Sequence, residues 1–244
     1  MHTYANLSNV VCDEWAQQCA SRTPLLHVVR HGSRALPEIL KGGALSPDPL
    51  SKAEATRCAE EKLEEPPAIY FYAGRAFPNS AGEATFLLSL SDDAVSEGRA
   101  TPFDSGGVIY GRSKLPWANI GAASPAEYVQ GHSVELSLFH DYFGHHLAAF
   151  FDSAPQYWDA PSRPIDGISF SPDSDFRDWT FEVRLHESVS IVNARLYLTN
   201  NLGAFLAEEE LLGKENNLPL VQYDDSPATL AENDARRDAT GGGP

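Results

Sequence analysis

Leu25-Leu26-His27-Val28-Val29, running through Arg30-His31-Gly32-Ser33 into Leu36-Pro37-Glu38-Ile39-Leu40 and closing on Gly42-Gly43, sets the class of the fold. The first five residues are apolar and partly β-branched, the make-up of a buried strand. Gly32-Ser33 supplies a turn, Pro37 suits the first turn of a short helix, and the two glycines suit its end. A strand therefore delivers into a short helix. Upstream, Asn6 to Arg22 reads as a helix with Val10, Val11, Trp15 and Cys19 on one side. Downstream, Ser51-Lys52-Ala53-Glu54 has the spacing of a capping box and opens a helix to about Leu63, which Pro66-Pro67 stop. Strand-like text follows at Ala68 to Ala73, Ala84 to Leu90, Gly107 to Tyr110, Trp179 to Leu185 and Val189 to Val192. Helices are expected at Ser124 to Gln130, Glu135 to Phe151 and Leu202 to Leu212. Strands and helices do not alternate regularly, so the class is α+β rather than doubly wound.

A chain of 244 residues can build a sizeable core without disulfides, and 42% apolar with 21% charged residues is globular composition. We expect one domain over residues 1–223, with a decorating insertion at about 111–160, and an acidic tail over 224–244 that reads as disordered. No run of about eighteen apolar residues is present to span a bilayer, so no membrane association is expected. The opening text MHTYANLSNVVCDEW has no basic segment followed by an apolar one, which makes the cytoplasm the expected compartment. Three cysteines in so long a chain argue for reduced thiols. Cys12 and Cys19 would stand about 10.5 Å apart along a helix, too far to bridge. Thirty-four acidic against eighteen basic residues give a net charge of -16, which repels phosphate backbones and predicts weak non-specific binding of nucleic acid.

Several short strings carry possible chemistry. Arg30-His31-Gly32-Ser33-Arg34 at the end of a strand resembles the opening motif of the histidine phosphatase superfamily, in which the histidine, here His31, takes the phosphoryl group as nucleophile and arginines neutralise its oxygens. That family needs a second strand-end histidine, and His140-Asp141 lies in helical text. Asp104-Ser105-Gly106-Gly107 is similar to the nucleophile region of chymotrypsin-like proteases, but the upstream histidine and aspartate strings are missing; a turn explains it without chemistry. His132, His140, Asp141, His145 and His146 lack the HExxH spacing of a zinc site, and no metal is expected there.

Three separated segments agree on another chemistry. Leu26-His27-Val28-Val29 with the short helix after it, Ile69-Tyr70-Phe71-Tyr72-Ala73-Gly74-Arg75 followed by Pro78, and Trp179-Thr180-Phe181-Glu182-Val183-Arg184-Leu185 together resemble, in order, the segments of the histidine-type ADP-ribosyltransferases, the superfamily of DarT-like toxins and tRNA 2'-phosphotransferases. The resemblance covers about a third of the chain. It implies an ADP-ribosyltransferase-like split sheet, mixed or antiparallel, with flanking helices, and NAD as co-substrate. It also implies that His27 binds NAD, that Tyr70 or Tyr72 frames the nicotinamide, that Arg75 holds a phosphate or orders the target, and that Glu182 is catalytic.

Each residue also has a plain structural reading. His27 could be a satisfied core histidine and Arg75 a surface arginine, and the two tyrosines could simply pack. Glu182 and Arg184 could lie on the exposed side of an amphipathic strand. Thr101 to Gly107 and the aromatic, histidine-rich stretch from Trp117 to Trp158 have no counterpart in the resemblance. We therefore expect transfer of ADP-ribose to a macromolecule of open type (protein, RNA or DNA), in the manner of a toxin or anti-phage effector, with an antitoxin or inhibitor as a possible partner. The alternatives are the phosphatase and a non-catalytic acidic binding protein of the same fold.

Overall fold

The computed structural model describes residues 11–23, 25–29, 32–47, 54–73, 76–77, 84–88, 97–109, 124–159, 163–164, 181–191, 194–199 and 220–223. In chain order these form α1 (Glu14–Arg22), β1 (Leu25–Val29), α2 (Gly32–Gly42), β2 (Ala44–Leu45), α3 (Glu54–Leu63), β3 (Ile69–Ala73), β4 (Ala76–Phe77), β5 (Ala84–Leu88) and β6 (Gly98–Thr101). There follow α4 (Ser105–Ile109), α5 (Pro125–His132), β7 (Val134–Glu135), a 3-10 turn, α6 (Phe139–Phe150), α7 (Ala154–Asp159), β8 (Arg163–Pro164), β9 (Phe181–Leu185), β10 (Val189–Ser190), β11 (Arg195–Thr199) and β12 (Leu220–Tyr223). Eight strands make one sheet in the order β12-β11-β5-β1-β3-β9-β6-β7, antiparallel throughout except for β11 beside β12. The class is α+β. Leu25↔Ala73 and Leu26↔Tyr72 join β1 to β3.

Side chains alternate along a strand, and residues paired across antiparallel strands share a face. One face carries Leu25, Val29, Ile69, Phe71, Ala73, Ala100, Phe181, Val183 and Leu185, all buried in the main core. Against it pack Ala16, Cys19 and Ala20 of α1, whose spacing of three and four makes one small-residue stripe, Leu36 and Leu40 of α2, and Phe139, Phe143 and Leu147 of α6. The other face is covered by α3, α4 and α5. Helices on both sides explain why all five residues of β9 are buried, where an amphipathic strand would leave its polar face in water.

Three expectations are corrected here. Gly107 to Tyr110 was expected as a strand, but Ser105–Ile109 is helical: the Asp104 carboxylate accepts the Gly107 N–H at 2.9 Å and its carbonyl accepts Val108 N–H at 3.2 Å, a cap that decides the local backbone. The stretch 111–160 is not a decoration over its described part, since α6 supplies three residues of the core and Phe151 and Tyr157 fill its edge. The expected helix from Asn6 to Arg22 is not continuous: residues 11–13 are non-helical and α1 begins at Glu14, while residues 6–10 lie outside the described residues. Strands β6, β11 and β12 and helix α7 were not anticipated. The Leu202 to Leu212 helix and the tail over 224–244 lie outside the described residues.

Gly98 sets the spacing between β6 and β9. A Cβ there would stand 2.5 Å from the Arg184 backbone carbonyl oxygen and 3.1 Å from Leu185 Cδ2, so no side chain fits unless the strands part. Gly98→Ala should lower the free energy of unfolding by about 1–3 kcal/mol, the cost typical of overpacking; a urea titration with an unchanged midpoint would show that the strands tolerate the separation.

Candidate functional site

The register places Tyr72 beside Glu182 and Glu182 beside Thr101, with Tyr70 beside Arg184, all on the face opposite the main core. Arg184 is 0% exposed and Glu182 1%. The guanidinium donates from Nε to Glu65 Oε2 at 2.8 Å and from Nη2 to Glu65 Oε1 at 3.0 Å, a two-pronged bond to one carboxylate. It also donates from Nη1 to Thr101 Oγ1 at 2.7 Å and to Glu182 Oε1 at 2.8 Å, and from Nη2 to Ser133 Oγ at 3.2 Å. These five bonds match the five donors of a guanidinium. Ser105, at the start of α4, donates its hydroxyl to Glu182 Oε1 at 2.5 Å. At the edge of the group, the Tyr70 hydroxyl donates to Glu60 Oε1 at 3.3 Å, and that oxygen also accepts Ala68 N–H at 2.9 Å.

One cation here serves two carboxylates, and Glu65 takes its fork. Glu182 is left with a single guanidinium bond in a dry site, and its carboxyl is pushed up to about 7, by burial first; Asp104 pushes the same way, while Arg184 and the Ser105 hydroxyl oppose. Arg184 is held above its ordinary value by Glu182 and Glu65 against the effect of burial. The Tyr70 phenol is raised, by burial first and then by Glu182 and Glu60. The site can hold a carboxylate near its ionisation point in fixed orientation, beside the half-buried ring of Tyr72.

Of the residues expected to act together, Glu182, Tyr70 and Tyr72 share this face, and His27 does not. In β1, Leu26 pairs with Tyr72, so the next residue, His27, projects from the opposite face, where its ring lies 5.5 Å from that of Phe71. One NAD cannot touch both His27 and Glu182 through a sheet, and the expectation that His27 binds NAD at this site is corrected. The histidine serves the fold: beyond Leu26↔Tyr72 the strands part, and Nδ1 donates to the Tyr70 carbonyl at 2.9 Å. Burial lowers its pKa, the Tyr70 bond opposing, so the ring is neutral near pH 7. Arg75 and His31 lie outside the described residues.

The histidine cluster is dispersed. His146 is buried among Phe143 and Phe181 with its pKa lowered to about 3 by burial, His132 donates from Nδ1 to the Tyr128 carbonyl oxygen at 2.8 Å, and His145 stands 3.7 Å from Asp141. Among the described residues no group of three or more His, Cys, Asp or Glu could hold a metal ion. Cys12 and Cys19 are separate thiols, that of Cys12 raised by burial.

Sequence reasoning missed the network around Glu182, in which Arg184 and Ser105 bond its carboxylate and Glu65 and Thr101 bond Arg184. The signal for Arg184 was present, since opposite charges two apart on one strand lie on one side. Those for the other three were not, because strand register and helix placement bring them in.

Glu182 binds its proton more tightly in the fold than in the unfolded chain. Its contribution to stability is therefore full below the ordinary glutamate value of about 4.3 and is lost as pH rises through about 7. The melting temperature should fall over that window, and Glu182→Gln should flatten the fall; an unaltered pH profile in the variant would refute the shift. Arg184→Met, which strands the buried Glu182 and the half-buried Glu65, should cost about 3–5 kcal/mol by chemical denaturation.

No protein-family model matches this chain, and no curated protein matches it.

Proposed function

We propose that the chain is an NAD-dependent ADP-ribosyltransferase of ADP-ribosyltransferase-like fold, with Glu182 as its catalytic carboxylate. The register pair Tyr72↔Glu182 carries the reading: an aromatic ring stands beside a carboxylate oriented by Ser105 and Arg184. Scission of the nicotinamide–ribose bond builds positive charge on the ribose, as hydrolysis of a sugar does. A fixed carboxylate stabilises that charge more than it stabilises ground-state NAD, which is the condition for catalysis. Tyr72 would stack on the nicotinamide. Tyr70, tied to Glu60, would support the strand. The acceptor is a macromolecule whose class this site does not specify, and the charge of -16 disfavours a broad grip on DNA. A toxin or anti-phage effector is the corresponding biological role, with an antitoxin or inhibitor as partner.

A second reading, a non-catalytic acidic binding protein, is favoured by one observation: Glu182 is 1% exposed and bonded to two residues of the scaffold. No observation among the described residues favours a phosphatase.

Release of nicotinamide from NAD by the purified chain, alone and with cell lysate, separates these readings. The transferase predicts release, a kcat at least about a hundredfold lower for Glu182→Gln, and little change in KM. Because the carboxylate must be ionised, kcat/KM should climb with pH and reach half its plateau near about 7, the value to which burial raises Glu182 in the free protein. His27→Ala should leave the KM for NAD unchanged while costing about 1 kcal/mol of stability for its lost bond. A folded Glu182→Gln protein that turns over NAD at the parent rate sinks the assignment, and no release under either condition favours the binding protein.

A further inference from the structure

The string Asp104-Ser105-Gly106-Gly107 brings a hydroxyl to the carboxylate to which the proposed reaction is assigned, though it touches no reacting atom. We propose that Ser105 is a positioning residue for Glu182: its hydroxyl, together with Arg184, holds Oε1 and leaves Oε2 as the oxygen that meets the ligand. The inference rests on the reading of Glu182 as the catalytic carboxylate.

Both the Ser105 bond at 2.5 Å and the Arg184 bond at 2.8 Å fall on Oε1. A carboxylate can exchange its two oxygens by turning about its last bond, and two donors on one oxygen stop that turn. Thr101, although paired with Glu182 in the ladder, accepts from Arg184. Ser105 is thus the neutral donor assigned to the carboxylate, and it is 0% exposed.

The local sequence fixes that donor. The Asp104 carboxylate folds over the start of α4 to accept Gly107 N–H at 2.9 Å. A Cβ on Gly106 or Gly107 would come within 3.3 Å of that carboxylate, a tight contact that would press the aspartate a few tenths of an ångström out of place. Phe103, Val108 and Ile109 are buried on either side and anchor the segment. The hydroxyl is therefore placed before any ligand arrives, which is what preorganisation requires. A bond donated to a carboxylate favours its ionised form, so Ser105 also lowers the proton affinity of Glu182.

Infrared titration of the carboxyl bands, with Glu182→Gln subtracted to identify Glu182, reads this role without NAD. In Ser105→Ala the midpoint should move to higher pH, and Ser105→Thr, which keeps a hydroxyl, should bring it back. In nicotinamide release, Ser105→Ala should lower kcat about tenfold to a hundredfold with KM unchanged, the scale of a lost bond to a charged group. If Ser105→Ala does not fold, Ser105→Cys, a weaker donor of similar size, should move the midpoint in the same direction. A midpoint that stays at the parent value overturns the proposal. A parent protein that releases no nicotinamide but shows the midpoint shift overturns the transferase reading instead, and the hold of Ser105 on the carboxylate stands.

Discussion

The Arg184 guanidinium is the piece on which the second face of the sheet depends. Its five donors reach Glu65 just beyond α3, Thr101 at the end of β6, Glu182 on its own strand and Ser133 just beyond α5. Elements far apart in the chain thus converge on one side chain of β9. A buried ion is costly to desolvate, and such networks add less to stability than their bond count suggests. Their strength is geometric. A planar fork admits few arrangements of its acceptors, so the guanidinium dictates where α3 and α5 end relative to the sheet.

Burial within this face pushes the Glu182 carboxyl up to about 7, against the pull of the network's own donors. The Asp104 charge adds to burial, the largest cause, while Arg184, whose fork is taken by Glu65, and the Ser105 hydroxyl oppose them only in part. The opposite face of the sheet is plain by comparison, a layer of phenylalanines and aliphatics under α1, α2 and α6, in which His27 and His146 are neutral rings. Two faces of one sheet thus divide the labour, one packed for stability and the other polar.

Much of this was legible in the sequence, and the failures have definite causes. Strands β1, β3 and β9 stand where their apolar content put them, and α5 begins with the Ser124 hydroxyl accepting Glu127 N–H ahead of Pro125, as its residues indicate. Parity within each strand was readable too. What no sequence states is how the parity of one strand maps onto that of the next, because a shift of one residue exchanges the faces; that is why His27 and Glu182 looked like neighbours and are not. The strand expected at Gly107 to Tyr110 came from a short apolar run, which periodicity cannot assign, while the aspartate before it was a helix-start signal left unread. The core role of α6 was written in Phe139, Phe143 and Leu147, four apart, but was overshadowed by the histidines among them.

The narrow joint between β1 and β3 has a mechanical consequence. Five register pairs tie β1 to β5 and five tie β3 to β9, whereas two tie β1 to β3, with the His27 ring taking over where the ladder stops. As far as backbone bonds hold the sheet, it is two panels hinged along one line. Free energies of partial opening follow the number of bonds and contacts that must break. As far as those bonds go, β1 can therefore leave β3 at lower cost than β1 can leave β5 or β3 can leave β9, and the Arg184 network stays with the panel of β3, β9 and β6.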